Sequence, residues 1–339
     1  MADTTNYTLP DWPRAHGGVS GRALLRQQTA DFRVTELLGF EPSGDGEHDF
    51  LYVEKTGLNT PEVARELARH AGIHVAAVGY AGLKDRQAVT RQWFSVQSPP
   101  KKPPDWQALA RDGVRILETG RHRRKLKRGA HRGNHFELVL RQIEAAPDKL
   151  DERLDRIANH GVPNYFGEQR FGRDASNLDL ARQLFSGRRL PRERRSLALS
   201  AARSLIFNEV LAERVRAGSW NRLLPGDVAN LDGSGSIFAV DALDEELERR
   251  AEALDIHPTG PLWGKGRRPA PAAEAAIAAL HAELAEGLER WVDAARRPMR
   301  VRPTELRWRH EDESLVVEFA LPSGAYATAV VRELVRYDD

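Results

Sequence analysis

Short stretches of β-branched and aromatic residues alternate with amphipathic helical patterns along this chain of 339 residues. Strand-like composition between turn residues is typical of 50–54, 93–97, 114–118, 136–140 and 315–321. Helical periodicity is typical of 61–70, 178–185, 199–215, 272–295 and 326–336, and a further helix is expected to begin near Lys149. Thr60 is the predicted N-cap of the first helix. Because strands and helices interleave without a regular βαβ period, the pattern favours an α+β fold.

The central part of the chain differs in texture from its flanks. Residues from about 160 to 300 are mostly helical in pattern and charged, whereas most strand-like segments lie before and after them. We therefore predict that 160–300 form an inserted domain. Residues 1–159 plus 301–339 are then one discontinuous domain, with the last strand and helix completing its sheet. Two domains also agree with a usual size of about 100–200 residues each.

Composition excludes several kinds of chemistry. A hydrophobic fraction of 41% is enough for a buried core. The absence of cysteine excludes disulfides, thiolate metal sites, iron–sulfur clusters and cysteine nucleophiles. The sequence also lacks a P-loop, an HExxH motif and a GxSxG elbow. We therefore expect no cofactor and no metal, and chemistry performed by carboxylate, cationic and aromatic side chains.

The chain shows no targeting or membrane signal. Residues 1–13 are polar and lack the basic flank and apolar run of a signal peptide. No stretch approaches the ~18 consecutive apolar residues of a membrane span. We expect a cytoplasmic protein with no membrane association, and nothing in the sequence demands more than a monomer.

Basic residues are clustered rather than interleaved with acidic ones. The formal net charge is only +2, from 51 Lys+Arg and 49 Asp+Glu. Seven basic residues and no acid nevertheless fall within 120–133, here called the basic block: Arg121, Arg123, Arg124, Lys125, Lys127, Arg128 and Arg132. A second basic run lies at 188–195, while acids concentrate at 241–255. This segregation favours a basic face for nucleic acid, with a solvated arginine-rich surface as the alternative for any one cluster.

One turn presents an aspartate between two cations. The segment 79–96 reads GYAGLKDRQAVTRQWFSV and places Asp85 between Lys84 and Arg86. Neighbouring cations favour the anionic form of a carboxylate, which can then act as a nucleophile or a base. The charge pattern alone favours a surface turn with local ion pairs, because such adjacent pairs are common.

Four ordered blocks carry a family resemblance. Residues 81–90, AGLKDRQAVT, resemble the motif of the TruD family of tRNA pseudouridine synthases. DFRVTE at 31–36, GVPNYFGEQRFG at 161–172 and PSGAYATAVVREL at 322–334 resemble further blocks of that family. The resemblance implies a mixed β-sheet catalytic domain with helices, interrupted by an inserted, mostly helical α/β TRUD domain in a V-shaped molecule. It also implies a cofactor-independent isomerase that converts uridine 13 of a tRNA substrate to pseudouridine.

The resemblance assigns roles to individual residues. Asp85 matches the catalytic aspartate, and Arg26 stands where a basic residue would neutralise it. The positions matched to substrate binding are Phe32, Asn134, Phe136 and Tyr326, the last of which is Phe in several members. Lys84, Arg86 and the basic block are expected to bind RNA, and Glu36, His48, Lys55 and Asn59 to support the site. Without the resemblance, Phe32 and Phe136 would be core aromatics and Asn134 a turn residue, while the aromatic pairs of 164–172 are expected to be structural.

Three other functions compete with this interpretation. A non-catalytic RNA-binding or RNA-folding protein on the same scaffold would not need Asp85. A methyltransferase would require a glycine-rich cofactor loop after a strand, which the sequence lacks. A DNA-binding protein would be expected to carry a helix-turn-helix, and none is recognisable.

Overall fold

The structure is a computed structural model that describes residues 7–98, 103–266 and 271–338. These residues form two compact units, each assembled from segments distant in sequence. The sheet unit comprises Ser20–Lys149, Pro303–Gly324 and the chain from Val335 onward. The helical unit comprises the chain up to Val19, Leu150–Arg302 and Ala325–Leu334. Helices and mixed sheets together confirm the predicted α+β class.

Both units are discontinuous, and their bounds differ from the predicted domains chiefly at three places. Residues 7–19, 150–159 and 325–334 belong to the same unit as the central part of the chain. The hydrophobic pattern assigned these segments to the strand-rich domain because they flank strand-like sequence. Which unit performs catalysis stays a prediction.

The sheet unit is built on one mixed sheet of ten strands. The main path runs β14-β15-β7-β2-β5-β3-β6, with β1 beside β7 and β16, and β4 beside β5. Pairing is parallel between β2 and β5 and between β1 and β16, and antiparallel in the other pairs. The elements are β1 (Arg22–Leu25), β2 (Phe32–Leu37), β3 (His48–Thr56), α1 (Thr60–Ala71), β4 (Val78–Tyr80), β5 (Val89–Gln97), β6 (Val114–His122), β7 (Gly133–Arg141), β14 (Thr304–Glu311), β15 (Ser314–Pro322) and β16 (Arg336–Asp338).

Local sequence explains where α1 begins and ends. Asn59 is the N-cap, and its side chain forms a capping box with Glu62. Pro61 occupies the first turn, and Gly72 ends the helix in the left-handed conformation at φ 66°. The prediction of Thr60 as N-cap is therefore wrong by one residue. Thr60 is fully buried and its hydroxyl serves the loop described below.

The helical unit packs around one long helix, α4, whose buried positions contact α3, α6 and α7. A four-stranded sheet of order β10-β9-β11-β12 and a β8–β13 pair complete it. No helix in the described part of the chain is long and apolar enough to cross a membrane. The elements are α2 (Pro147–His160), β8 (Val162–Pro163), α3 (Ser176–Phe185), α4 (Arg192–Arg216), β9 (Val228–Leu231), β10 (Ile237–Ala239), α5 (Glu245–Glu252), β11 (Ile256–Leu262), α6 (Ala272–Leu280), α7 (Ala282–Trp291), β12 (Ala295–Pro298), β13 (Arg300–Val301) and α8 (Ala327–Leu334).

Two predicted helices are shorter than their patterns. The pattern over 272–295 is interrupted at His281, whose backbone leaves the helical region at φ −120° and ψ 38°. The break lets α7 dock closely on α3, where a side chain at Gly287 would lie 2.3 Å from the ring of Phe185. Tertiary packing here overrides helix propensity. The pattern over 326–336 likewise ends at Leu334, because Arg336 starts a strand that pairs with β1.

Candidate active site

One face of the ten-stranded sheet collects the polar and aromatic side chains that the resemblance singles out. Alternate residues of a strand point to the same face. Phe32 and Glu36 of β2 lie opposite Leu138 and Asn134 of β7, and Phe136 lies opposite Val34. Across β5, Thr90 lies opposite both Val34 of β2 and Lys55 of β3. The residues that share this face, here called the site face, are Phe32, Glu36, Lys55, Gln92, Asn134 and Phe136.

The loop that carries Asp85, residues 81–88, joins β4 to β5 and is held against the site face by buried side chains. Lys55 Nζ donates to the Asp85 carbonyl at 2.7 Å. Gln92 Nε2 donates to the Gly82 carbonyl at 3.1 Å, and the Thr60 hydroxyl accepts from the Lys84 backbone N–H at 2.9 Å. Thr60 in turn donates to Gln92 Oε1 at 2.9 Å. These hydrogen bonds fix the backbone of the Asp85 loop, as a precise catalytic geometry requires.

The side chain of Lys84, which the sequence analysis expects to bind RNA, is buried and paired within the chain. Its Nζ donates to Glu36 Oε2 at 2.7 Å, and the two side chains are 4% and 0% exposed. Glu36 Oε1 also accepts from the Trp93 backbone N–H at 3.1 Å. A side chain at position 82 would crowd this pair, because its Cβ would lie 3.3 Å from Lys84 Nζ and 3.3 Å from His131 Cε1. The side chain of Lys84 thus points inward, whereas that of its neighbour Asp85 reaches solvent.

The Asp85 carboxylate meets the predicted cation. Arg26 Nη2 lies 3.4 Å from Asp85 Oδ2, with the arginine side chain 5% exposed and the aspartate 42% exposed. Arg26 adopts a left-handed backbone conformation at φ 62°, which is rare for a residue other than glycine and directs the side chain at the loop. Its guanidinium lies over the Phe32 ring, 4.1 Å from the centroid. The pair thus consists of a buried, stacked cation and an accessible carboxylate.

The segment between Arg26 and Phe32 is itself anchored. Arg141 forms a bidentate pair with Asp31, with Nη2 at 2.7 Å from Oδ1 and Nε at 2.9 Å from Oδ2. Asp31 Oδ2 also accepts from the Gln28 backbone N–H at 2.9 Å. These bonds to the buried Asp31 hold Arg26 and Phe32 at the edge of the Asp85 loop.

Lys55 places a second positive charge next to this loop. Its side chain is fully buried, and burial lowers the pKa of Lys55 to about 8 against the opposing attraction of Asp85. Lys55 is therefore charged below about pH 8 and becomes neutral as the pH rises through that value.

This pKa predicts a pH dependence. The single-turnover rate of the reaction proposed below should fall as the pH rises through about 8, because the neutral amine no longer stabilises negative charge at the loop. Lys55→Met should lower the rate at pH 7 by about 10- to 100-fold and remove the fall. Quench-flow rates from pH 6 to 10 test this. A variant that keeps the same fall would assign the titration to the substrate and contradict the role of Lys55.

The ring of Phe136 and the amide of Asn134 both lie on the site face but differ in exposure. Phe136 is 6% exposed and packs against Phe319 and Phe32, with ring centroids 5.5 Å and 6.3 Å apart. Asn134 is half-buried, and its Oδ1 has no hydrogen-bond partner among the described residues. A buried amide oxygen without a partner is uncommon and requires an explanation.

Tyr326 belongs to the helical unit, where its hydroxyl is bonded. Arg170 Nη2 donates to the Tyr326 oxygen, and the Arg170 guanidinium lies 5.6 Å from the centroid of the ring. The ring also meets Phe166 edge to face at 6.0 Å. The hydroxyl that distinguishes this chain from members with Phe is thus used by the QRFG segment.

The basic block is not uniform. Arg121 and Arg123 pair with Asp49 and Asp45, so part of their charge is neutralised within the chain. Lys125 donates to the Ala76 carbonyl. Exposed side chains remain available for RNA at Arg86, Arg124, Lys127, Arg128 and Arg132.

Sequence reasoning missed the supports at Thr60 and Gln92. Both are polar residues buried in or beside apolar segments, and Gln92 falls on the inward parity of the strand VTRQWFSV. An inward polar residue in a central strand is the signal that identifies such a support. Of the other expected supports, Asn59 caps α1, and His48 is buried at the start of β3. Among the ranges that the structure describes, no group of three or more His, Asp or Glu residues is arranged to hold a metal ion.

Proteins of one family are similar to this chain over nearly its whole length. The family model described as tRNA pseudouridine synthase D (TruD) matches residues 15–187 and 185–334. The tRNA pseudouridine synthase D of Methylococcus capsulatus is 51% identical over 97% of this chain and 95% of the relative. Those of Azotobacter vinelandii and Pseudomonas syringae pv. syringae are 50% and 49% identical, each over 95% of this chain and 94% of the relative.

A solved structure from Methanosarcina mazei, which carries the same name provisionally, has a similar fold. Its TM-score to this chain is 0.70 at 23% identity, with 95% of each chain covered. At that identity, the likeness concerns the fold.

Proposed function

Since this chain belongs to the TruD family of tRNA pseudouridine synthases, we propose that it converts uridine 13 of tRNA to pseudouridine with Asp85 as the catalytic residue. One observation carries the proposal: the accessible Asp85 carboxylate lies 3.4 Å from Arg26 on a loop whose backbone is anchored by Lys55. A local surface turn would need neither a buried cation nor a buried lysine beneath it. The sheet unit is then the catalytic domain.

The reaction balances without an oxidant, reductant or cofactor. The bond between uracil N1 and ribose C1′ breaks, and a bond between C5 and C1′ forms. The hydrogen on C5 leaves as a proton, and N1 gains a proton, so the product is an isomer of the substrate. The chain needs to supply a group that acts on the glycosidic bond and a pocket that keeps the detached base.

Asp85 is suited to the first task. Its carboxylate can attack C1′, add to the pyrimidine ring or remove a proton from the sugar, and each of these routes starts from the anion. Arg26 and the protonated Lys55 both place positive charge near that anion. Since both cations are fixed before the substrate arrives, little reorganisation is needed during the reaction.

Asn134 and Phe136 are suited to the second task. A uridine in a stacked tRNA must be flipped out at a cost of a few kcal/mol, which contacts in the pocket offset. We propose that the unpartnered amide oxygen of Asn134 accepts from the uracil edge and that Phe136 forms the apolar floor of the base site. Phe32 acts through Arg26, on which it stacks. Residues 160–300, the predicted inserted domain, make up most of the helical unit. We propose that Tyr326 of this unit and the exposed cations of the basic block contact the tRNA.

A substitution at Arg26 should separate catalysis from binding. Arg26→Gln should lower kcat by about 10²- to 10³-fold, because one fixed charge beside the reacting carboxylate is lost, while KM changes little. The matched control is Arg33→Gln, which removes an exposed arginine that bonds the Ala30 carbonyl on the same segment. Steady-state kinetics on a tRNA transcript test this. Equal kcat values for the two variants would contradict the role of Arg26.

The reaction class can be tested by isotope release. A tRNA transcript labelled with tritium at uracil C5 should lose about one tritium per tRNA to water, because the new bond forms at C5. The carboxylate variant Asp85→Asn should release none. Tight binding of tRNA by the wild-type protein without tritium release would support the alternative of a non-catalytic RNA-binding protein.

A further inference from the structure

A cleft of about 550 Å³ lies in the sheet unit between α1, β4 and the segment 125–128. Its volume is in the range of about 300–1,000 Å³ that is typical of small-ligand sites. Four cations line it, namely Arg65, Lys125, Lys127 and Arg128, around a floor that includes Ala64 and Val78. None of the described residues that line it is a carboxylate. Its lining therefore suits an anion that carries a flat apolar part.

A planar stack forms one side of this cleft. The guanidinium of Arg128 lies over the Tyr80 ring, 3.9 Å from the centroid, and Arg128 is exposed. Bases stack on aromatic rings and on guanidinium planes in RNA recognition. The outer face of a guanidinium that is backed by a tyrosine offers such a plane with little freedom to lose.

The segment beneath the stack is rigidly seated. The Leu126 backbone N–H donates to Ser95 Oγ at 2.8 Å, and Leu126 is buried. Close approach requires a glycine at position 79, because a Cβ there would lie 2.4 Å from the Leu126 carbonyl oxygen. The stack is therefore held in place before any ligand binds.

The cleft adjoins the Asp85 loop. The Gly129 backbone N–H donates to the Ala81 carbonyl at 2.8 Å, which joins the basic block directly to the start of that loop. Tyr80 precedes Asp85 by five residues, so their Cα atoms are at most about 18 Å apart. A nucleic-acid strand advances about 3.4 Å per stacked nucleotide, so this span corresponds to about five nucleotides.

We propose that this cleft binds one unstacked nucleotide of the substrate tRNA, within about five positions of the uridine that is modified. Its base stacks on the Arg128–Tyr80 pair, and its phosphate is neutralised by Lys127 and Arg65. The inference rests on the proposed function, which supplies tRNA as the substrate. Stacking without hydrogen-bonded readout tolerates any base, so the site contributes affinity and register rather than sequence preference.

An abasic-site scan tests the cleft. Transcripts that lack one base at a time on either side of uridine 13 are bound to the wild-type protein and to Tyr80→Ala and Arg128→Lys. One abasic position should raise the Kd for the wild-type protein about 5- to 150-fold, the range for stacking of one base. For the two variants, removal of the base at that position should not raise the Kd, because these proteins already lack the stacking plane. Arg128→Lys keeps the positive charge. If its Kd does not respond to the missing base, the planar guanidinium rather than the charge is the feature that binds the base.

The matched control is Arg124→Ala, which removes an exposed cation of the same block that does not line the cleft. It should weaken binding of every transcript alike and keep the dependence on the abasic position. If the rise in Kd caused by Tyr80→Ala and the rise caused by the missing base multiply at every position, the proposed stacking in the cleft is wrong. If the wild-type protein binds tRNA and shows the coupling but forms no pseudouridine, the proposed function fails and the cleft stands. If it does not bind tRNA, both fail.

Discussion

Asp85→Asn should reduce pseudouridine formation by at least about 10⁴-fold, the loss expected when the group that carries covalent or acid–base chemistry is removed. Asparagine is nearly the same size as aspartate and cannot be an anion. The Lys55 bond to the backbone carbonyl of residue 85 is unchanged by the substitution, so the loop should keep its position. The Kd for tRNA should therefore stay within a few-fold of the wild-type value. Single-turnover rates and filter binding on the same transcript test both statements.

The control for Asp85→Asn is the adjacent Arg86→Ala. Arg86 is exposed and its Nε donates to the Gly57 carbonyl at 3.1 Å, away from the carboxylate. Because we propose that it contacts RNA, its loss should raise KM modestly and leave kcat nearly unchanged. A rate for Asp85→Asn within ten-fold of wild type would remove Asp85 from the chemistry.

Glu36→Gln should lower the free energy of unfolding by about 3–5 kcal/mol, because it leaves the buried Lys84 ammonium without its partner. The glutamine oxygen can still accept from the Trp93 N–H, but its amide group then faces the ammonium. A loss of this size is a large fraction of a typical stability of about 5–15 kcal/mol. Urea denaturation followed by tryptophan fluorescence, with Trp93 beside the pair, measures it.

Two further variants separate the buried pair from general effects. Adding Lys84→Met to Glu36→Gln should restore most of the lost stability, since the unpaired charge is gone. The control Asp45→Asn disrupts the exposed pair with Arg123 in the same unit and should leave stability unchanged. Equal destabilisation by Glu36→Gln and Asp45→Asn would contradict a buried ion pair under the Asp85 loop.

Much of the fold follows from local sequence. The strands at 50–54, 93–97 and 136–140 were predictable from β-branched and aromatic composition, and α1 from its proline and terminal glycine. The break at His281 was not, because it serves the contact between Gly287 and Phe185, which are distant in sequence. The order of the strands in the sheet could not be predicted either, because the alternation of residues within a strand does not specify the neighbouring strand.

The candidate site divides in the same way. Asp85 and Arg26 were identified from motif positions 59 residues apart, and the structure brings them to 3.4 Å. The burial of Lys84 was not predicted, because a lysine next to an exposed aspartate usually faces solvent and its partner Glu36 lies 48 residues away. Thr60 and Gln92 carry no charge and so escaped a search for chemistry. The inward position of Gln92 on β5 is visible only once the strand parity is known, and Thr60 bonds to it from the start of α1.

The central claim is that this chain forms pseudouridine at position 13 of tRNA through Asp85. Unmodified tRNA transcripts are incubated with the wild-type protein or Asp85→Asn, treated with carbodiimide and mapped by primer extension. We expect one new stop, at the position of uridine 13, with the wild-type protein and none with the variant. A stop at another uridine would contradict the assigned position, and the absence of any stop with the wild-type protein would contradict the enzymatic function.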